Sequence, residues 1–444
     1  MSKNTVFEKL DTSDMLGRSK RGIAVSMSAQ GARFCLQIGS TVVLGRLLTP
    51  SDYGLVGMAA VVINLVAMFK DAGLAQATVQ REVVTPAQIS TLFWINLGLV
   101  LLLALLVGAS APLIAWIYGD SRLVGLTVVL TVPIIASGLS LQHRALLERN
   151  MRFIDIARSE VLGMAFGVTV GIFCALHGAA YWSLVIMQIA MTFSTTLILW
   201  ALVPWCPGRW QRGSGVRSML KFGANLTGFN FINYFARNAD KFLLGKFYGA
   251  QAIGQYSLAY RFLMLPLSQI NAPISRVLLP TLSRLQHDQE AYTELFLKYV
   301  QRIGWLTIIP ISVGTLIGEP LIVLLLGEQW REAGGLFEIL TIAALFQPVS
   351  NLTGLLYTSR GVTHRLLQWG LVGSSITVLG VIIGLNWGTR GVAIAYASTS
   401  LLITIPCWWW ACRCCNISLG SVFRKLLLPS LGGLLVAGAS VFLV

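Results

Sequence analysis

"LGRLLTPSDYGLVGMA", residues 44–59, returns 200 residues later as "LGKFYGAQAIGQYSLA", residues 244–259. Leu44, Gly45, Gly54 and Ala59 fall on Leu244, Gly245, Gly254 and Ala259, and Arg46 falls on Lys246. Each copy sets glycines and short polar residues between two apolar segments, which is the composition of a tight reversal. The same reversal at one constant offset predicts a chain built from two similar halves.

Composition says what those halves are made of. Apolar residues are 55% of the chain and charged residues 11%, against about 25% charged in a soluble domain, and the mean hydropathy is +0.72. Runs of about 20 apolar residues recur along the whole length, the span needed to cross roughly 30 Å of hydrocarbon. No pattern of alternating ten-residue strands is present, so the spans are helices. Thirteen are expected, at about 22–44, 54–73, 89–117, 123–143, 159–178, 181–203, 219–240, 252–275, 303–326, 336–358, 366–386, 391–410 and 426–444.

The net charge of +15 does not point to nucleic acid, because its distribution follows the membrane. With the N-terminus inside, 24 of the 33 Lys and Arg lie in the inner tail and loops or at their span edges, and six in the outer loops. That asymmetry sets orientation. The loops "RALLERNMRFIDIAR" and "PGRWQRGSGVRSMLK" are topology signals on this reading, with anionic headgroups as a secondary partner. The tail "MSKNTVFEKLDTSDMLGRSKR" has no apolar core with a small-residue cleavage site, so the first span is an uncleaved anchor. Of seven cysteines, Cys412, Cys414 and Cys415 are expected in an inner loop where thiols stay reduced. That loop supplies no further metal ligands, and neither metal nor cofactor is expected.

Six spans precede the linker "PWCPGRWQRGSGVR" and six follow before the last. An even number per unit repeats the orientation, so the halves are parallel. The organisation expected is a cytoplasmic tail at 1–21, an N-terminal six-helix half at 22–203 and a cytoplasmic linker at 204–218. A C-terminal six-helix half at 219–410 follows, then a cytoplasmic loop and extra helix at 411–444.

The polar residues inside the spans repeat as well. Ser26, Gln30, Arg33, Gln37 and Thr41 share one face of the first helix, and Thr227, Asn230, Asn233, Arg237 and Lys241 one face of the seventh. Gln30, Arg33, Gln37 and Thr41 fall on Asn230, Asn233, Arg237 and Lys241 at the offset of 200. An arginine facing acyl chains costs at least about 2.5–3.5 kcal/mol, so such residues normally face a wet cavity or a partner. Both stripes are therefore expected to line a central aqueous cavity. Arg33 lies some 16 Å into its span at 1.5 Å per residue, Arg237 is nearer an outer end where it can snorkel, and Arg261 is intermediate. Asp71 and Asp240 either neutralise neighbouring cations or serve as protonatable groups for ion coupling.

"GRLLTPSDYGLVGMAAVV" and "FKDAGLAQATVQR", residues 69–81, resemble the polysaccharide transporter family of the multidrug/oligosaccharidyl-lipid/polysaccharide (MOP) exporter superfamily. The segments are most similar to the Wzx-type flippase branch that includes colanic-acid exporters of bacterial inner membranes. "GKFYGAQAIGQYSLAYRF" resembles the second-half counterpart. The likeness covers the whole chain in span number and layout, while the specific motif covers residues 45–81. Members usually show twelve or fourteen spans where thirteen are counted here, a departure that touches only the last span.

The resemblance implies an all-α polytopic, MATE-like fold of two parallel six-helix halves around a central cavity. It also implies a flippase carrying undecaprenyl-pyrophosphate-linked oligosaccharide across the inner membrane by alternating access, for exopolysaccharide, capsule or O-antigen (lipopolysaccharide) assembly. Partners implied are that lipid-linked oligosaccharide, membrane lipids and other polysaccharide-assembly proteins. By position Arg33, Arg237 and Arg261 suit the pyrophosphate, with Gln30, Gln37, Asn230, Asn233 and Lys241 beside it. Two alternatives stay open: a small-molecule or multidrug exporter of the same superfamily, and a membrane polysaccharide polymerase. The first calls for an acidic or aromatic cavity where this one reads as basic. The second calls for a large outer loop, and here the outer loops are short; His143, His177, His287 and His364 are scattered, and no phosphate-binding Gly-rich loop occurs. An enzyme is not expected.

Overall fold

The computed structural model describes the backbone of residues 15–69, 75, 78–79, 84–210 and 217–441. The described residues are helical with no strand, and each of the thirteen expected spans overlaps a helix. Seven segments among them are long and apolar enough to cross a membrane, and an eighth when the pair Glu328–Ala344 and Gln347–Ser359, bent by 41°, is taken as one span. The chain divides into two compact units, Met1–Phe235 and Ala236–Val444.

The first unit opens with α1 (Met15–Leu47) and α2 (Pro50–Ala67), joined at Leu48 and Thr49. Thr49 caps α2: its hydroxyl accepts from the Asp52 amide at 3.3 Å, and the Asp52 carboxylate accepts from the Thr49 amide at 2.9 Å. Proline at the first helical position completes the start signal, since it lacks only a donor that the helix would leave unbonded. α3 (Pro86–Tyr118) begins with the same device, Thr85, Pro86 and Gln88. The short α4 (Arg122–Val129) and α5 (Thr131–Arg149) follow, then α6 (Phe153–Leu176) and α7 (Trp182–Leu202).

α6 and α7 pack closely because Gly163, Gly167 and Gly171 stand one turn apart on α6. A Cβ on Gly167 would lie 2.6 Å from the Met191 Cβ and 2.8 Å from the Met187 carbonyl oxygen. Small residues at this spacing let backbones approach within lipid, where dispersion rather than water drives helix association. α1 also packs on α6, with Leu44 and Leu48 clustered with Ala175 of α6 and Leu184 of α7.

The long α8 (Arg217–Arg284) begins in the first unit, continues into the second and is broken there at Gly249, whose φ of 78° and ψ of −170° lie in a region open essentially to glycine alone. Gly249 is the counterpart of Thr49 at the offset of 200. The reversal therefore recurs at the same position with different local chemistry, a capped helix start in one half and a glycine break in the other. Burial recurs too. Leu44, Gly45, Gly54 and Ala59 are buried and so are Leu244, Gly245, Gly254 and Ala259, while Arg46 and Lys246 are both exposed.

Beyond α8 come α9 (Gln289–Leu326), α10 (Arg331–Ala344), α11 (Gln347–Ser350) and α12 (Thr353–Ser359). α13 (Thr363–Gly384) and α14 (Gly388–Cys414) form an antiparallel hairpin folded at Gly388, with Gly384 against Gly391 and Gly380 against Thr399. The apolar segment His364–Cys414 is thus two helices rather than one. α15 (Leu419–Val441) packs on α9. Against the expected end at residue 410, α14 continues to Cys414 because Trp408, Ala411 and Cys412 still face the core around Phe296 and Leu356. Cys412 and Cys415 are packing residues there.

Candidate functional site

The polar face of α1 meets an acid from α6. Arg33 Nη1 donates to Glu160 Oε2, and Arg33 Nη2 donates to the Gln30 side-chain oxygen one turn back. The other oxygen of Glu160 takes Arg144 Nη1 at 2.8 Å, and Arg144 Nε donates to Glu148 at 3.0 Å along α5. Three helices thus contribute two guanidinium groups and two carboxylates to one charge-balanced chain. The Arg33 side chain is 34% exposed and that of Glu160 16%. Pairing is what makes these groups tolerable: removing one member of a buried pair typically costs about 3–5 kcal/mol, because the remaining charge is stranded. A guanidinium held this way still presents unused donors, and an anion reaching Arg33 competes with Glu160 for it.

The rest of the first stripe divides. Gln37 is half-buried, and its carbonyl accepts from the Thr41 hydroxyl at 2.7 Å and the Ser40 hydroxyl at 3.0 Å. Thr41 is buried, so it stabilises its own helix instead of facing an open space. Glu160 and Arg144 were absent from the residues expected at the site. Glu160 was nonetheless visible as an acid inside an apolar span, "SEVLGMAFG", and Arg144 was counted only as an orientation signal.

On the second stripe, the side chains of Asn230, Asn233 and Arg237 lie outside the described residues, as does Asp71. Lys241 is described: its ammonium sits over the Tyr260 ring, 4.6 Å from the centroid, a cation–π contact. Arg261 is half-buried about three turns beyond the break. Asp240 is 5% exposed. Its Oδ2 accepts the Tyr256 hydroxyl at 2.8 Å and its Oδ1 the Lys241 amide at 2.8 Å.

Asp240 also lines a cavity of about 280 Å³ that lies wholly within the second unit, between α8, α10–α11, α13 and α14. Aromatic walls come from Tyr260, Tyr396 and Trp369, and polar atoms from Gln347 and Ser374. The side-chain oxygen of Gln347 is buried and accepts no hydrogen bond. A second space of about 510 Å³ lies against α14 and α15 and is lined almost entirely by apolar side chains such as Trp408, Phe423 and Leu431. Among the described residues no group of three or more His, Cys, Asp or Glu is placed to hold a metal ion. His143 is packed between Trp200, at 4.3 Å, and Trp205.

Known proteins are similar to this chain in sequence and in fold. Residues 43–334 match the family described as "Polysaccharide biosynthesis protein". The teichuronic acid biosynthesis protein TuaB of Bacillus subtilis is 26% identical over 403 residues, covering 89% of this chain and 83% of that one. The lipopolysaccharide biosynthesis protein WzxC of Escherichia coli is 25% identical over 394 residues, covering 87% and 78%. Among solved structures, the lipid II flippase MurJ in an inward closed conformation superposes with a TM-score of 0.73 at 14% identity, over 94% of this chain and 98% of that one. An inward-facing multidrug resistance MATE transporter of the MOP superfamily superposes with a TM-score of 0.67 at 14% identity, over 88% and 98%. These structural likenesses establish the fold, an all-α architecture shared with those MurJ and MATE chains.

Proposed function

The chain belongs to the polysaccharide biosynthesis protein family, and from that premise we propose that it is a flippase for undecaprenyl-pyrophosphate-linked oligosaccharide. Its place on this reading is the bacterial inner membrane, with a cytoplasmic N-terminus and six-helix halves at 22–203 and 219–410. The reading is supported by relatives named for polysaccharide biosynthesis and by one named for transport, the succinoglycan biosynthesis transport protein ExoT of Rhizobium meliloti.

The observation that carries the mechanism is Arg33, a cation kept inside an apolar helix by a displaceable carboxylate. A pyrophosphate brings more negative charge than Glu160 and matches the planar guanidinium fork, so it replaces the carboxylate through charge-assisted hydrogen bonds. Glu160 keeps Arg144 as its partner when Arg33 is taken, and the exchange strands no charge. Arg237 and Arg261 supply further cations to the head group, and Gln30, Gln37, Asn230, Asn233 and Lys241 contact it or its sugars. The isoprenoid tail stays in lipid. Translocation is by alternating access without covalent chemistry, coupled to a gradient through Asp240 and Asp71.

The family match is to polysaccharide biosynthesis proteins, and the likeness to multidrug exporters is one of fold. The deciding experiment is a leaflet-resolved assay of lipid-linked oligosaccharide in cells depleted of the protein. Accumulation in the inner leaflet is expected. Normal delivery to the outer leaflet, in cells with no second flippase, overturns the reading.

A further inference from the structure

Apart from Asp240, none of the residues lining the 280 Å³ cavity of the second unit has a role in the mechanism above, yet together they form a coherent recognition surface. Three features limit what fits it.

The first is charge. Among the described residues Asp240 is the only acid lining the cavity, and the Lys241 ammonium lies over the face of Tyr260, itself a wall. The local charge is balanced, which favours an uncharged occupant over a bare cation. A bare calcium ion takes six to eight oxygens at about 2.3–2.6 Å, whereas the acceptors here, Asp240, Gln347 and Ser374, come from three different helices.

The second is the set of open hydrogen-bonding positions. Gln347 Oε1 is buried with no donor against it. A buried acceptor left unmatched costs about 1–3 kcal/mol, so its retention calls for a ligand that donates. Asp240 uses one position on each oxygen for Tyr256 and the Lys241 amide, and a carboxylate offers about four. The Ser374 hydroxyl adds a group that donates or accepts.

The third is shape. Trp369, Tyr260 and Tyr396 supply flat apolar surfaces, with the two tyrosines 6.1 Å apart edge to face. Small-molecule pockets combine apolar and aromatic walls with a few placed polar groups, starting near 300 Å³. A molecule with one flat C–H face, a rim of hydroxyl donors, no charge and the size of one six-membered ring meets all three conditions.

We infer that this cavity seats one sugar ring of the lipid-linked oligosaccharide, packing it on the aromatic walls and reading its hydroxyls through Gln347, Ser374 and Asp240. The inference rests on the flippase reading and gives it a specificity element distinct from the pyrophosphate arginines. A site built to accept hydroxyl hydrogens discriminates strongly against rings lacking them. Because Asp240 lines the cavity, sugar occupancy also bears on the group assigned to coupling.

The test uses the full-length protein in lipid nanodiscs and two probes: undecaprenyl pyrophosphate, and the undecaprenyl-pyrophosphate-linked oligosaccharide extracted from the strain that encodes the protein. Variants are Trp369→Ala, Gln347→Ala and Gly370→Phe. The last fills the cavity from a wall position where a Cβ meets no atom within 4 Å. In each variant the glycosylated lipid is expected to bind about tenfold more weakly, the order of one lost hydrogen bond or packing contact, with undecaprenyl pyrophosphate unchanged. Equal weakening of both probes, or of neither, overturns the sugar seat while leaving the flippase reading intact. Saturable sodium binding abolished by Asp240→Asn, with glycosylated-lipid affinity unaltered, also overturns it in favour of a cation site. If the unaltered protein binds neither lipid, the flippase reading fails and the sugar seat with it.

Discussion

The Arg33 guanidinium rests on the Glu160 carboxylate, 127 residues further along the chain, and Glu160 bridges from it to Arg144. The bridge makes the three charges unequal. Losing Arg33 leaves Glu160 with a partner, whereas losing the Glu160 charge leaves Arg33 with only the neutral Gln30 among the contacts described above.

Arg33→Ala is therefore expected to abolish export at normal abundance, with a stability loss of about 1 kcal/mol. Arg33→Lys restores export only in part, because an ammonium lacks the bidentate fork. Glu160→Gln should cost more stability, about 2–3 kcal/mol. Thermal unfolding in detergent ranks the variants. Equal losses for Arg33→Ala and Glu160→Gln would remove the bridging role.

Gly249→Ala tests the second reversal. The backbone there (φ 78°, ψ −170°) excludes a Cβ, although nothing lies within 4 Å of where one would sit, so the cost is conformational. A loss of about 1–3 kcal/mol is expected. Thr49→Ala, at the equivalent position, loses a cap worth about 1 kcal/mol, and Thr49→Gly only a few tenths. Melting temperatures of the three variants check the order. Tolerance of alanine at 249 would mean that the break does not depend on glycine.

Gly167→Ala tests the α6–α7 contact. Its Cβ meets backbone and Cβ atoms of α7 that no side-chain rotation can clear. Overpacking of this kind costs about 1–3 kcal/mol, while Gly125→Ala, with no atom within 4 Å, should be neutral or slightly stabilising. Parallel thermal melts of these two alanine variants make the comparison, and a neutral Gly167→Ala would refute the tight packing.

Topology is open to labelling at a native thiol. Cys206 is exposed in the linker, whose Gly208 is pinned to α3 through Ser90 and Trp94. In a variant retaining only this cysteine, an impermeant maleimide added to intact cells should leave it unmodified. A permeant maleimide should modify it. Labelling by both would place the linker outside and invert the orientation.

Asp120 and Arg122 give a small acid-dependent effect outside the spans. The Arg122 guanidinium, at 2.7 Å, holds the Asp120 carboxyl below its ordinary range. A lowered folded value means that the contribution is present above the unfolded value of about 4 and fades as pH falls through the folded one. Wild type should exceed Arg122→Ala by no more than about 1 kcal/mol near neutrality, and the gap should close below pH 4 in acid titrations of stability. A gap that widened in acid would contradict the pairing.

Much of the fold was open to reading from residues alone. Each stretch that hydropathy picked out overlaps a helix among the described residues, because crossing a membrane is a demand each segment meets against lipid by itself. The reversals at Thr49 and Gly249 were legible through their glycines and short polar residues, which act within a few positions of chain. The Gly163, Gly167 and Gly171 spacing was equally local and is read in hindsight as the α6–α7 seam.

What the stripes do was another matter. Helical periodicity put Gln30, Arg33, Gln37 and Thr41 on one face, yet Arg33 and Gln30 turn to Glu160 while Thr41 closes back onto the Gln37 carbonyl. Arg144 looked like an orientation signal until α5 brought it to Glu160, and no periodicity connects Trp369, Tyr260 and Gln347. Hydropathy and turn chemistry are properties of neighbours along the chain, so the sequence determined the helices and their repeat. A charge's partner and a cavity's walls depend on distances between helices far apart in sequence, and Coulomb and packing energies take effect only once tertiary structure has set those distances.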